Sequence, residues 1–137
     1  MTSDSRNVLV VDDNQDVRDL VLHILSSDGF HVFGAADGDS ALAILKSNPV
    51  DLVLLDVMMP GKSGLDVLNA IRTGSNKALH DIPVMIITAK SSLDDIDMAL
   101  QLGANSYVVK PFRGTTIREK VRNILDLEPS TKESEKK

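Results

Sequence analysis

Short apolar runs alternate with helical stripes along most of this chain. Residues 7–11 (NVLVV) are continuously apolar and β-prone, the pattern of a strand covered on both faces. Residues 14–27 place Val17, Leu20, Val21, Ile24 and Leu25 on one helical stripe, and Gly29 follows as a stop. The pattern then predicts a strand at 30–35, a short helix at 39–46 and a third strand at 51–55 (DLVLL), just past the breaker Pro49. Residues 64–72 read as a helix and 82–88 (IPVMIIT) as the fourth strand. A helix at 92–102 has Ser91 or Ser92 as N-cap, Asp94 and Asp95 in its first turn and Gly103 after its end, in keeping with cap and dipole preferences. A short strand at 106–109 and a helix at 115–127, apolar at Ile117, Val121, Ile124 and Leu125, complete the series.

Strands alternating with helices imply βαβ units and a parallel sheet with helices on both faces. Right-handed crossovers narrow this to an α/β, doubly wound five-stranded parallel sheet. In such sheets ligands bind beyond the carboxyl ends of the strands. The residues there are Asp12 and Asp13 after the first strand, Asp56 after the third, Thr88 and Ala89 at the end of the fourth, and Lys110 and Pro111 after the fifth. The fold therefore gathers three carboxylates, a hydroxyl and an ammonium at one edge. Clustered carboxylates repel, and one would keep its proton unless a cation joined them. A hard divalent ion with oxygen ligands resolves this. Magnesium suits a few carboxylates plus water, and it favours phosphate chemistry. A carboxylate can itself be the nucleophile in phosphoryl transfer, and the central strand makes Asp56 the candidate. Taken singly, each residue has an ordinary explanation: acids after strands cap the next helix, Thr88 ends a strand, and a lone lysine is solvated. Only the coincidence of all of them at one sheet edge points to a site.

Composition narrows the partners. The chain has 137 residues, of which 42% are hydrophobic, enough for one domain with a sizeable core. A formal net charge of -5 argues against direct nucleic-acid binding or a membrane surface, both of which call for a basic face. Aromatics are few (Phe30, Phe33, Phe112 and Tyr107) and cysteine is absent, so base stacking and thiolate chemistry have little to work with. No apolar run reaches the length of a membrane span, and a cytoplasmic location is expected. The expected organisation is a polar arm at 1–6, one domain at 7–127 and a charged segment, EPSTKESEKK, at 128–137, which reads as a disordered tail or the start of a linker.

Four segments, VLVVDDNQDVR (8–18), DLVLLDVMMPGKSGLDVL (51–68), VMIITAK (84–90) and GANSYVVKPF (103–112), closely resemble the receiver domain of two-component response regulators. The resemblance spans about residues 7–127. It implies a flavodoxin-like sheet in the order 2-1-3-4-5 with five flanking helices. It further implies that Asp56 accepts a phosphoryl group from a histidine kinase or phosphotransfer protein. Asp12, Asp13 and Asp56, with the backbone carbonyl of Met58, would hold Mg2+, while Lys110 and Thr88 bind the phosphoryl oxygens. Thr88 and Tyr107 would form the switch, acting on a surface made by the fourth helix, fifth strand and fifth helix. That surface would engage a downstream effector or a phosphorylation-dependent dimer. A cis Lys110–Pro111 bond is also implied. Met58 and Lys90 stand where the family varies its dephosphorylation rate, and neither positions an attacking water, so slow self-dephosphorylation is expected.

The expected activity is that of a phosphorylated switch rather than an enzyme. The alternative is a magnesium-dependent aspartyl-phosphate phosphohydrolase, but the second acid such enzymes carry two residues after the nucleophile is here Met58. A flavin module would need a hydroxyl- and glycine-rich loop after the first strand, where this chain has DDNQD. A degenerate receiver serving as a static docking module would be expected to lack site residues that are all present. Residues 73–81 (TGSNKALHD) form a long connection before the fourth strand, read as a tolerated insertion or a partner-contact loop. His23, His31 and His80 are scattered and suggest neither a metal site nor a relay histidine.

Overall fold

The computed structural model describes residues 6–57, 63–89 and 93–127. Most of the N-terminal arm, Met58, Lys90, the serine cap at 91–92 and the segment 128–137 lie outside the described residues. The strands are β1 (Asn7–Val11), β2 (His31–Ala35), β3 (Leu52–Asp56), β4 (Val84–Ala89) and β5 (Ser106–Lys110). The helices are α1 (Gln15–Ser27), α2 (Gly38–Ser47), α3 (Gly64–Thr73), α4 (Leu93–Gln101) and α5 (Gly114–Ile124). All strand pairs are parallel, in the order β2-β1-β3-β4-β5, as the resemblance implied.

The continuous apolar runs divide between two faces, because successive strand residues point to opposite sides. Leu9, Val11, Val53, Leu55, Val84 and Ile86 pack with Ala41 and Leu45 of α2, Val67, Leu68 and Ile71 of α3, and Ala99 of α4. Val8, Val10, Leu52, Leu54, Met85 and Ile87 pack with Val21, Ile24 and Leu25 of α1 and with Ile117 and Val121 of α5. Central β1 and β3 are therefore covered on both sides, and β2 and β5 form the half-exposed edges.

Several boundaries differ from the periodicity reading, each for a local reason. Asn14 is the N-cap of α1 rather than its first helical residue, since its side chain accepts the Asp16 and Val17 amides. Strand β4 starts at Val84, not Ile82, because Pro83 cannot donate to the ladder. Helix α5 ends at Ile124, not Leu127: Asp126 adopts φ 58°, and the Leu127 amide turns back to the Arg122 carbonyl at 2.8 Å, a left-handed C-terminal cap. The last turn of α5 is moored by Arg122, whose Nε donates to Asp28 Oδ2 at 2.8 Å.

The long connection before β4 has structure of its own. A 3₁₀ turn, Lys77–Leu79, is capped by Asn76, and His80 Nε2 donates to the Gly74 carbonyl at 2.6 Å. Arg72 ties this segment to its neighbours. Its guanidinium donates to the carbonyls of His80, Ile82 and Gly103 and to Asn105 Oδ1. Gly103 has φ +105°, and a Cβ there would stand 2.8 Å from Arg72 Nε. Only glycine meets both constraints. Burial pushes the Arg72 pKa down, and nearby Asp81 opposes that shift.

Candidate functional site

Two adjacent strands, β1 and β3, bring the acidic residues to one sheet edge. Asp12 continues the β1 ladder by donating its amide to Ala35 O at 3.1 Å. Its side chain is fully buried, and Oδ1 accepts the Asn14 amide at 2.9 Å. Asp13 is exposed. Asp56 is the last residue of β3 rather than the first beyond it, and it is only 3% exposed. Thr88 lies within β4, fully buried, with its hydroxyl donating to Ala89 O at 3.3 Å. Lys110 ends β5 and precedes a cis bond to Pro111.

These side chains converge. Carboxylate oxygens of Asp12, Asp13 and Asp56 all lie within 4.8 Å of one another. The Lys110 ammonium stands 2.9 Å from Asp12 Oδ2 and 3.7 Å from Asp56 Oδ2. Among the described residues, one ammonium against three carboxylates leaves an excess of negative charge. Among the described residues, Asp12 Oδ2 is buried with no hydrogen bond and meets only the Lys110 ammonium. A buried anionic oxygen without a hydrogen bond is costly, and a hard cation among these oxygens would relieve it. The donor set, three carboxylates of which Asp13 is exposed to water, fits Mg2+. Met58, the expected carbonyl ligand, lies outside the described residues.

Tyr107 is 40% exposed on edge strand β5, with the Lys120 ammonium 5.4 Å from its ring centroid. In register it pairs with Ile86, two residues before Thr88. An open cavity of about 350 Å³ lies between β5 and α5, lined by Tyr107, Val109, Pro111, Phe112, Thr116 and Lys120 among others.

Two supports of the site stand out only in three dimensions. Gly64 begins α3 directly against the site strand, and a Cβ there would fall 2.1 Å from the Asp56 carbonyl oxygen. In the sequence Gly64 reads as the first residue of the helix at 64–72, and this close approach is not legible there. Arg18 reaches from α1 to donate Nη1 to the Asp12 carbonyl at 2.7 Å. Its place in the helix reads simply as polar surface, and no signal in a single sequence marks it out.

Comparison with known proteins agrees with the geometry. The model of the response regulator receiver domain matches residues 8–122. Over 118 residues the chain is 42% identical to the transcriptional regulatory protein CpxR of Klebsiella pneumoniae, covering 86% of this chain and 48% of that one. It is 38% identical to the chemotaxis protein CheY of Pseudomonas aeruginosa, covering 87% of this chain and 95% of that one. The chain thus spans about half the length of the CpxR relatives and nearly all of the CheY relative. A putative response regulator from Chloroflexus aurantiacus superposes with a TM-score of 0.83 at 29% identity, over 89% of this chain and 98% of that one. NtrX from Brucella abortus superposes with the same score at 33% identity, over 89% of this chain and 27% of that one. Fold, site and relatives agree, and the chain belongs to the response regulator receiver domains of two-component systems.

Proposed function

We propose that this chain accepts a phosphoryl group on Asp56 from a phosphohistidine of a histidine kinase or phosphotransfer protein, and that the transfer depends on Mg2+. The observation carrying this reading is the convergence of the Asp12, Asp13 and Asp56 oxygens within 4.8 Å, with Lys110 beside them. Asp12, Asp13, Asp56 and the Met58 carbonyl would hold the ion. When bound, Mg2+ neutralises charge on the phosphoryl oxygens and offsets the mutual repulsion of the acids. Asp56 supplies the nucleophilic oxygen. One P–O bond forms as the P–N bond to the donor histidine breaks, and its electron pair returns to the imidazole. Lys110 stabilises the phosphoryl charge as a point cation. Its contacts to Asp12 and Asp56 keep it at the reacting centre before the donor arrives.

Receiver domains are phosphoacceptor switches rather than classical enzymes. In this chain the phosphoryl group would draw the Thr88 hydroxyl away from Ala89 O. That opens space for Tyr107 to leave its outward position by Lys120. The surface of α4, β5 and α5 would change with it, to engage an effector or a second phosphorylated copy. The arm at 1–6, the domain at 7–127 and the segment from 128 remain our reading of the organisation. No helix among the described residues is long and apolar enough to cross a membrane, which is compatible with the cytoplasmic setting we propose. Slow self-dephosphorylation follows if neither Met58 nor Lys90 orients water.

The direct test is incubation with acetyl phosphate and Mg2+, followed by intact mass measurement. Wild type should gain the mass of one phosphoryl group. Asp56→Asn, or wild type with a chelator, should not. A wild-type protein that stays unmodified would refute the reading.

A further inference from the structure

We infer that Arg18 is a positioning residue for the metal-binding acids, an inference that rests on the function proposed above. Asp12 and Asp13 share one peptide plane, and the orientation of that plane sets how their two carboxylates diverge. Both backbone groups of Asp12 are held. The amide donates to Ala35 O at 3.1 Å, and the carbonyl, which belongs to the shared plane, accepts Arg18 Nη1 at 2.7 Å. The Arg18 stem lies along β2, where a Cβ at Gly34 would stand 3.8 Å from Arg18 Cδ. The stem passes over Gly34, which has no side chain to displace it, and the guanidinium holds the turn after β1. The Asp12 side chain is buried, and among the described residues its Oδ2 has no hydrogen bond. A tilt of the plane would turn the Asp13 carboxylate, which follows it in the chain, away from the oxygens of Asp12 and Asp56.

Two effects of Arg18 oppose each other, and their balance makes the inference testable. As a cation near the acids, Arg18 should weaken binding of a divalent ion. As the clamp on their peptide plane, it should strengthen it. Outer-shell groups that orient metal ligands are commonly worth about 10- to 100-fold in affinity. A single charge at a solvent-screened distance is worth much less. We therefore expect positioning to win.

The test is calorimetric titration of Mg2+ alone into wild type, Arg18→Met and Arg18→Lys, with thermal melts of each in chelator. Arg18→Met should bind Mg2+ about tenfold more weakly. Arg18→Lys, which keeps a cationic donor, should recover part of the loss. With acetyl phosphate, the Mg2+ concentration for half-maximal phosphorylation should rise in Arg18→Met, while the rate at saturating Mg2+ stays near that of wild type. Equal or tighter Mg2+ binding by Arg18→Met would overturn the inference, leaving the Asp56 reading intact if wild type still binds and is modified. Failure of wild type to bind Mg2+ would instead sink the Asp56 reading. If Arg18→Met does not fold in chelator, Arg18→Lys decides: weaker Mg2+ binding at an unchanged melt supports positioning, and unchanged binding refutes it.

Discussion

Gly64 sits so close to the Asp56 backbone that a Cβ on it would overlap the Asp56 carbonyl oxygen, at 2.1 Å. The first turn of α3 is therefore built onto the acceptor strand with no room for a side chain, and the Gly64 amide donates to Val57 O at 3.3 Å. Gly64→Ala must push α3 away from β3. We expect a loss of about 1–3 kcal/mol in stability, read from urea unfolding midpoints, together with slower phosphorylation of Asp56. Wild-type stability would mean the β3–α3 joint yields freely.

Among the described residues three clustered acids contact one ammonium, so metal-free protein carries net repulsion there. Asp13 is the exposed member. Asp13→Asn should leave stability in chelator unchanged or raised by up to ~1 kcal/mol. It should also remove most of the stabilisation that Mg2+ confers, which for a folded-state ligand at 100 times its Kd is about 2.7 kcal/mol. Thermal melts with and without Mg2+ check both halves.

Tyr107 is the only tyrosine and the chain has no tryptophan, so intrinsic tyrosine fluorescence reports one ring. Wild type should change its signal on phosphorylation as the ring leaves its exposed place by Lys120. Thr88→Val should be phosphorylated on Asp56 with little fluorescence change, because the hydroxyl that links the two events is gone. Since the Thr88 bond to Ala89 O is long, at 3.3 Å, its loss should cost no more than about 1 kcal/mol in stability. A full fluorescence response in Thr88→Val would separate the threonine from the relay.

Arg72 joins the end of α3 to the entry of β4 and to the α4–β5 turn through its carbonyl contacts. Arg72→Met leaves the Ile82 and Gly103 carbonyls without that donor, and a loss of about 2–4 kcal/mol is expected. Amide exchange should quicken at the α4–β5 turn before it does in β1 and β3. Uniform acceleration across the sheet would argue against a local clamp.

Asp37 caps α2 by accepting the Ser40 amide at 2.8 Å. That backbone hydrogen bond, followed by one from the Ser40 side chain, holds its carboxyl below its ordinary value of 3.8. A carboxyl lowered in the folded state stabilises the fold fully above its unfolded pKa, and the contribution fades as pH falls through the folded value. Asp37→Asn keeps a capping oxygen but no titration there. Its stability should fall less steeply than that of wild type below about pH 4, in denaturation series across pH.

The sheet was legible because its runs are long and β-rich, and because few topologies join alternating strands and helices. The acids, Thr88 and Lys110 were legible for the same reason: each stands at the end of a strand, and the fold decides where strand ends meet. Strand ends themselves were blurred by one residue. Asp56 reads as the first polar residue after an apolar run, yet it still pairs in the ladder with Ile87, because backbone pairing does not depend on side-chain polarity. Hidden altogether were Arg18, Arg72 and the Asp28–Arg122 tie. Each is a surface-type residue whose value lies in backbone or side-chain partners on other elements, and helical periodicity carries no record of such partners.

Strand order also dictates the length of a side chain. Lys110 belongs to β5, and β4 separates it from the β3 strand that carries Asp56. Two interstrand spacings, about 10 Å, lie between their backbones, and the Nζ still comes within 3.7 Å of the Asp56 carboxylate. The four-carbon stem works as a bridge across β4, with Thr88 on the strand it crosses. A cation on a shorter arm at the same position would stop above β4, and strand order thereby requires a long cationic side chain at the end of the fifth strand.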